Sequence, residues 1–152
     1  MVEKDNLGLA GEYVTASEIC RRDYYAQITL GHLKRTDILV YNSSNQKMIK
    51  VEVKSKQERW WPNVKGISGD NSLLVLDDFQ KKEDGARPDF YILTSQDWQN
   101  YLNVNVRGSD DLVELRDTIT PVWADKTVGQ GVEVKEVVEH KEKWDKLARI
   151  LD

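Results

Sequence analysis

Two runs of alternating apolar and polar residues, 36–41 and 48–54, flank the Asn- and Ser-rich tract 42–47. A period of two on both sides of a polar tract predicts a β-hairpin. If the turn is symmetric, its centre lies between Ser44 and Asn45, which fixes the register of the two strands.

This register separates the side chains of the hairpin into an apolar face and a charged face. The apolar face pairs Thr36, Ile38 and Val40 with Val53, Val51 and Ile49. On the charged face Asp37 is opposite Glu52, and Arg35 is opposite Lys54. Like charges placed directly opposite each other destabilise a sheet, so the acidic pair predicts a function rather than a structural role.

The remaining periodicity predicts helices and strands on both sides of this hairpin. The helices are expected at 9–22, after a capping box at 94–97 and from Val134 onward, and further strands at 24–30, 73–76 and 90–93. Continuously apolar strands are typical of a sheet covered on both faces. We therefore predict an α/β fold with a central mixed sheet, flanking helices and a C-terminal helix, in which the last helix packs on the sheet or on a second subunit.

The stretch 55–71 lacks periodicity and predicts a loop that contains Trp60 and Trp61. A long loop inside a compact domain is usually functional. Two interpretations stay open: a tryptophan stacks on an unpaired base or wedges a DNA junction, or one tryptophan caps the core. Residues 105–131 predict only an irregular layer or a small β-insert.

Composition favours one domain spanning residues 1–152, because 152 residues with 39% apolar content can bury a single core. The only cysteine, Cys20, is expected in that core and in a reducing compartment. Residues 1–6 do not resemble a signal peptide and no apolar run is long enough to span a membrane, so we expect a cytoplasmic protein. The two histidines, His32 and His140, are expected in a turn and on an exposed helix face.

Charge is distributed unevenly along the chain. The net charge is −4, but residues 47–65 carry six basic and two acidic residues, and residues 110–152 carry seven basic and eleven acidic ones. A basic stretch around the hairpin indicates a phosphate-binding surface. Chance clustering of surface lysines explains the charge count equally well.

The first predicted helix carries a carboxylate on its apolar side. At about 100° per residue its apolar arc consists of Leu9, Tyr13, Ala16, Ile19 and Cys20. Glu12 falls inside that arc. A buried carboxylate is costly unless it is paired or bound to a metal, which makes Glu12 a candidate ligand. The alternative is a half-exposed acid near the start of the helix, where the macrodipole favours it.

Asp37, Glu52 and Lys54 together indicate metal-assisted chemistry. Two carboxylates from adjacent strands are the hard oxygen ligands that Mg²⁺ prefers, and Lys54 lies on the same strand face as Glu52. A metal that polarises a phosphate, with a cation beside it, is what phosphodiester hydrolysis requires. The alternative is a loose ion network on an exposed strand.

The order of helix Glu12, strand Asp37, hairpin and strand Glu52-Val53-Lys54 resembles the PD-(D/E)XK nuclease superfamily, especially its small Holliday-junction-resolvase-like members. The resemblance covers about the first hundred residues. It implies an αβββαβ core, metal binding by Asp37, Glu52, the Val53 carbonyl and Glu12, and a catalytic Lys54. It departs from the family in two features: Thr36 stands where the family has proline, and no QxxxY-type motif follows Lys54.

These observations predict a Mg²⁺-dependent endonuclease, with Mn²⁺ as a substitute ion, that acts on duplex or branched DNA. The expected phosphate contacts are Lys34, Arg35, Lys56, Gln57 and Arg59. A homodimer would suit the two-fold symmetry of duplex DNA. The alternative function is a catalytically silent module of the same fold that binds nucleic acid or a partner protein.

Overall fold

The computed structural model describes residues 1–29 and 36–152. Its strands are β1 (Tyr25–Ile28), β2 (Ile38–Asn42), β3 (Lys47–Lys56), β4 (Trp61–Val64), β5 (Ser72–Asp78), β6 (Asp89–Thr94), β7 (Leu112–Arg116), β8 (Thr120–Trp123) and β9 (Gln130–Val132). Its helices are α1 (Lys4–Cys20), α2 (Ser95–Asn105), α3 (Val134–Val137) and α4 (Asp145–Leu151), with a 3₁₀ turn at Val138–His140.

A five-stranded mixed sheet in the order β1-β2-β3-β5-β6 forms the centre of this α/β fold. Strands β1 to β3 are an antiparallel meander, β5 runs parallel to β3, and β6 is antiparallel to β5. The mixed sheet, the flanking helices and the C-terminal helix confirm the predicted fold class. The order of elements differs from αβββαβ in one respect, because α2 follows β6 instead of joining β3 to β5.

The hairpin has the predicted register, with Ile38 paired to Val51 and Val40 to Ile49. The ladder ends at that first pair. Asp37 donates its backbone N–H to the Val51 carbonyl at 3.0 Å, and its carboxylate accepts the Val53 N–H at 2.7 Å. The Asp37 carboxylate thus accepts a backbone N–H of β3 that the regular pairing of two strands would leave to a backbone carbonyl. The regular pairing therefore stops at Ile38 and Val51, and the prediction that Asp37 lies directly opposite Glu52 is wrong.

Each face of the sheet carries its own apolar core. On one face α1 and α4 cover Ile38, Val40, Ile49, Val51, Val53, Leu73, Val75, Phe90 and Ile92. On the other face α2 and the β4–β9 ribbon cover Leu74, Leu76, Tyr91 and Leu93. The capping box at the start of α2 is present as predicted, with Thr94 and Asp97 each accepting a backbone N–H from the other.

Helix α1 buries a different face from the one predicted. Its buried residues are Leu7, Gly11, Thr15, Glu18 and Ile19. Leu9 and Tyr13 are 45% and 61% exposed, and Cys20 is exposed rather than in the core. The reason is a close approach at Gly11, where a Cβ atom would lie 1.8 Å from Ser55 Oγ. A hydropathy pattern does not identify a glycine as a core residue, so it did not predict that the Gly11 face of α1 is the buried one.

The stretch 55–71 is not a single loop. Strand β3 continues through Lys56, and β4 pairs with β9. Trp61 is fully buried in the core, where its indole N–H donates to the Asp77 carbonyl at 2.9 Å, whereas Trp60 is 44% exposed. One tryptophan therefore completes the core, in agreement with the second of the two interpretations. Residues 105–131 include the β7–β8 hairpin and β9.

The predicted C-terminal helix is broken. The chain leaves the 3₁₀ turn and begins α4 only at Asp145, with Glu142 at a φ of 56°. The break turns His140 inward, so this residue is buried rather than exposed. Its Nδ1 accepts a hydrogen bond from the Lys146 ammonium at 2.8 Å. His32 lies outside the described residues. Within the described residues, none of the helices combines the length and apolarity needed to cross a bilayer.

Candidate active site

A cleft of about 670 Å³ lies between α1, the end of β1 and the start of β2. Its described walls include Leu9, Glu12, Tyr13 and Ala16 from α1, Ala26, Gln27, Ile28 and Thr29 from the β1 segment, and Thr36 and Asp37 before β2. Leu9, Tyr13 and Ala16 of the predicted apolar arc therefore line this cleft, whereas Ile19 lies in the core as predicted. Two predicted site residues, Glu12 and Asp37, meet here.

The side chains of Glu12 and Asp37 are hydrogen-bonded to each other. Burial, together with the nearby Asp37 charge and hydrogen bond, raises the pKa of Glu12 to about 7. The raised pKa means that Glu12 takes up a proton more readily than an ordinary glutamate, because burial and the neighbouring Asp37 charge both oppose its ionisation. A divalent cation would replace this proton and be bound by hard oxygen ligands, so the donor set fits Mg²⁺.

Backbone contacts fix the position of Asp37. Its carboxylate accepts the Val53 N–H, and its carbonyl accepts the Thr29 N–H at 2.9 Å. The first contact joins β2 to β3 and the second joins β1 to β2. Asp37 is therefore held by three strand segments, which gives its carboxylate one preferred orientation. The contact through the Val53 N–H was not expected, and the predicted metal contact through its carbonyl stays a prediction.

Glu52 and Lys54 lie on one face of β3. Their partners across the parallel ladder are Leu74 and Leu76. Glu52 is buried at 6% exposure, whereas Lys54 is half-buried. Lys54 takes part in none of the ion pairs found among the described residues.

The predicted acids do not form one compact ligand set. Among residues 1–29 and 36–152, no group of three His, Cys, Asp or Glu side chains is arranged to hold a metal ion. The structure brings Glu12 and Asp37 together, and the metal contact predicted for Glu52 stays a prediction. The site is therefore a carboxylate pair, with Glu52 and Lys54 on the neighbouring strand.

The predicted phosphate contacts have different positions. The Lys56 side chain is 1% exposed and its ammonium binds Asp78 at 2.8 Å, so it is a buried structural cation and not a surface contact. Gln57 exchanges hydrogen bonds with the backbone of Val2. Arg59 is exposed, stacks over Trp60 and contacts Glu133. The other two, Lys34 and Arg35, lie outside the described residues.

Beneath α1 is a polar cluster that the sequence analysis missed. Asp77 is fully buried, and its Oδ2 accepts the Thr15 hydroxyl at 2.8 Å. Within the described residues, Asp77 Oδ1 and Ser55 Oγ have no hydrogen-bond partner. Burial raises the pKa of Asp77 well above its usual value. The only sequence signal was an acid that ends an apolar strand, and it did not show which face Asp77 would occupy.

A second acid on α1 has an entirely different environment. Glu18 is buried and binds Arg87 at 2.5 Å, Arg21 at 3.1 Å and Arg22 at 3.4 Å. Burial alone would raise the pKa of Glu18, but the arginines outweigh it and lower the pKa. Arg87 also binds Glu142 at 2.5 Å, which joins the end of α1 to the loop before α4.

The chemistry open to this site is that of an acid pair on the wall of a cleft. Glu12 and Asp37 can hold a cation or a proton, and Lys54 supplies a positive charge on the adjacent strand. No protein-family model, curated protein or solved structure matches this chain. The likeness to PD-(D/E)XK nucleases therefore rests on these residues and on their order along the chain.

Proposed function

We propose that this protein is a Mg²⁺-dependent endonuclease that hydrolyses DNA. The observation that carries the proposal is the Glu12–Asp37 pair, in which burial and a neighbouring acid raise the pKa of Glu12 to about 7. Acids that serve only the fold are normally paired with cations or hydrogen-bond donors. Two acids that instead face each other at the wall of a cleft are suited to binding a divalent ion.

In this proposal Asp37 and Glu12 hold Mg²⁺, and Mn²⁺ can substitute. Asp37 is the anchoring ligand because its backbone contacts fix its carboxylate. Glu52 and the Val53 carbonyl are the further oxygen ligands available on β3. The bound ion would polarise the scissile phosphate and lower the pKa of the attacking water.

Lys54 acts as the positioning cation of the reaction. It lies two residues beyond Glu52 on the same face of β3, and it takes part in none of the ion pairs found among the described residues. An ammonium there orients the attacking water or stabilises charge that develops on the phosphate. The proposed DNA contacts are Arg59, Lys34 and Arg35. Lys56 is not proposed as a DNA contact, because its side chain is buried and paired with Asp78. The cytoplasm as compartment and the homodimer stay predictions.

A catalytically silent DNA- or protein-binding module is the second candidate. It is favoured by one observation: within the described residues, no three acids are grouped as metal ligands. If Glu52 never joins the pair, metal binding is weak and the lysine has no reaction to assist. The two candidates differ in whether DNA is cut.

The deciding experiment is cleavage of a labelled panel of linear duplex, supercoiled plasmid, four-way junction and single strand with Mg²⁺ or Mn²⁺. Activity that is present in the parent protein and lost in both Lys54→Ala and Asp37→Asn supports the nuclease. Equal activity in all three preparations indicates a contaminant. No cleavage by folded protein across the panel favours the binding module.

A metal titration tests the site independently of any substrate. Mg²⁺ in the millimolar range should raise the melting temperature of the parent protein, since a ligand that binds only the folded state stabilises it. The same titration should leave Asp37→Asn unchanged. An equal response in both proteins would place the binding ion elsewhere and contradict the proposed metal site.

A further inference from the structure

The cleft beside the acid pair has an apolar wall that metal binding does not require. On α1, Tyr13 follows Glu12 directly, Leu9 lies about one turn before it and Ala16 about one turn after it. Ala26 and Ile28 line the cleft from β1. Leu9 is 45% exposed and Tyr13 61% exposed. A large exposed ring and an exposed leucine in a concave site are features of ligand pockets.

The charges of the described lining restrict the occupant. Glu12 and Asp37 are the charged side chains among the described lining residues, so an anionic group beside these two acids would be held through a cation. A phosphate bridged to these acids by a metal meets that condition. The rest of the occupant must be uncharged and flat enough to lie against Tyr13, which describes a nucleobase.

Two polar side chains of the cleft, Gln27 and Thr29, make hydrogen bonds within the protein. Gln27 accepts a hydrogen bond from the Tyr25 hydroxyl at 2.8 Å and donates to the Ile28 carbonyl at 3.2 Å. Thr29 donates its hydroxyl to the Thr36 carbonyl at 2.5 Å. Side chains satisfied in this way are poorly placed to read base edges. A base would therefore be held by stacking and apolar contact, which every base can provide.

We infer that the cleft takes one unpaired nucleotide, with its base against Tyr13 and Leu9 and its phosphate at the Glu12–Asp37 metal site. This inference rests on the proposed function and adds the substrate class: single-stranded, flapped or frayed DNA in preference to continuous duplex, without strong sequence preference. A base in a duplex is stacked and paired, and taking it out costs a few kcal/mol.

The test compares the affinity for a fluorescent single strand with the affinity for the same strand in a full duplex, in Ca²⁺ to support phosphate binding. Tyr13→Ala removes the ring and Tyr13→Phe keeps it. Tyr25→Ala is the comparison variant: Tyr25 is also 61% exposed and is not among the described lining residues, and because its hydroxyl contacts the lining residue Gln27, this variant also shows whether a freed Gln27 amide contributes to binding. Thermal melting checks that each variant is folded.

Tyr13→Ala should weaken single-strand binding about ten-fold, since stacking contributes roughly 1–3 kcal/mol per base. Tyr13→Phe and Tyr25→Ala should stay within two-fold of the parent, and homopolymers of different bases should bind alike. Duplex affinity at or above single-strand affinity, or an equal loss in Tyr13→Ala and Tyr25→Ala, would overturn the inference. A free mononucleotide that binds as tightly as the oligonucleotide would overturn DNA as the source of the nucleotide.

The metal titration keeps this inference separate from the proposed function. A Mg²⁺ response with cleavage of duplex and no effect of Tyr13→Ala leaves the nuclease intact and removes the single-strand substrate. Tyr13-dependent single-strand binding with no Mg²⁺ response removes the nuclease and overturns the placement of the phosphate at the acid pair, while stacking of a base on Tyr13 stands.

Discussion

Helix α1 carries two acids, Glu12 and Glu18, whose environments are opposite. Glu18 is surrounded by three arginines that lower its pKa, although it is buried. Glu12 is hydrogen-bonded to another acid, Asp37, and its pKa is raised to about 7. The fold neutralises the first acid internally and leaves the second dependent on a proton or an added cation.

This difference separates a structural acid from a candidate functional one without reference to other proteins. A carboxylate with its own arginines holds elements together, here α1 and the loop before α4 through Arg87. A carboxylate beside another carboxylate costs stability, and such sites concentrate where function requires them. Substitutions that alter either the Glu12–Asp37 pair or the Glu18–arginine cluster test this difference.

The largest effect is expected on catalysis. Asp37→Asn should lower DNA cleavage about 1000-fold, which corresponds to roughly 4 kcal/mol of transition-state stabilisation, because the neutral amide weakens the metal site. Single-turnover cleavage with excess protein measures it. The fold should persist, since the amide oxygen can still accept the Val53 N–H. Full activity in folded Asp37→Asn would remove Asp37 from the site.

The next effect is on stability at the Glu18 side. Arg87→Ala should lower the free energy of unfolding by about 2–3 kcal/mol, because it leaves the buried Glu18 with less compensation. Urea denaturation at neutral pH measures the loss. Arg149→Ala is the control: its ion pair with Asp145 is exposed on both sides, and its loss should cost less than about 0.5 kcal/mol. Equal losses in the two variants would contradict the structural role of Arg87.

A third test acts on the helix that carries both acids. Gly11→Ala places a methyl group 1.8 Å from Ser55 Oγ, and overpacking of this kind costs about 1–3 kcal/mol. Ser55→Ala in the same chain should recover part of the loss. Gly8→Ala should stabilise by up to about 1 kcal/mol, since nothing lies within 4 Å of the added Cβ and alanine favours the helix. Chemical denaturation of the parent protein and these three variants compares the values.

The smallest expected effect is a pH-dependent gain in folding stability when Glu12 is replaced by glutamine. The native state binds a proton that the unfolded chain releases near pH 4.5, so the parent protein loses stability as pH rises from about 4.5 to about 7. Glu12→Gln should remove that loss and be more stable than the parent by about 1 kcal/mol at pH 8, after allowance for solvent screening. The two proteins should be alike at pH 4.

Thermal or urea unfolding in EDTA across this pH range measures the Glu12 effect without metal. Glu18→Gln is the opposite control and should destabilise at neutral pH, because it removes a charge that three arginines neutralise. A Glu12→Gln variant that is less stable than the parent at pH 8 would mean that Glu12 is a structural acid after all.

The sequence pattern predicted the structure correctly where residues close together in the chain determine it. The register of the β2–β3 hairpin followed from the turn sequence, and the capping box at Thr94 and Asp97 followed from its spacing. The apolar runs that became β5 and β6 were evident because both faces of these strands are covered. These features determined the α/β class, the mixed central sheet and the residues Glu12, Asp37, Glu52 and Lys54 as candidates.

Long-range contacts decided the rest. Lys56 became a buried ion pair because Asp78 lies 22 positions later on the neighbouring strand, and His140 turned inward toward Lys146 after a break in the helix. The buried face of α1 was set by how closely Gly11 approaches Ser55. Hydropathy along the sequence reports which residues avoid water, but only the packed structure determines which charges meet, and so the Glu12–Asp37 contact was decided by tertiary structure.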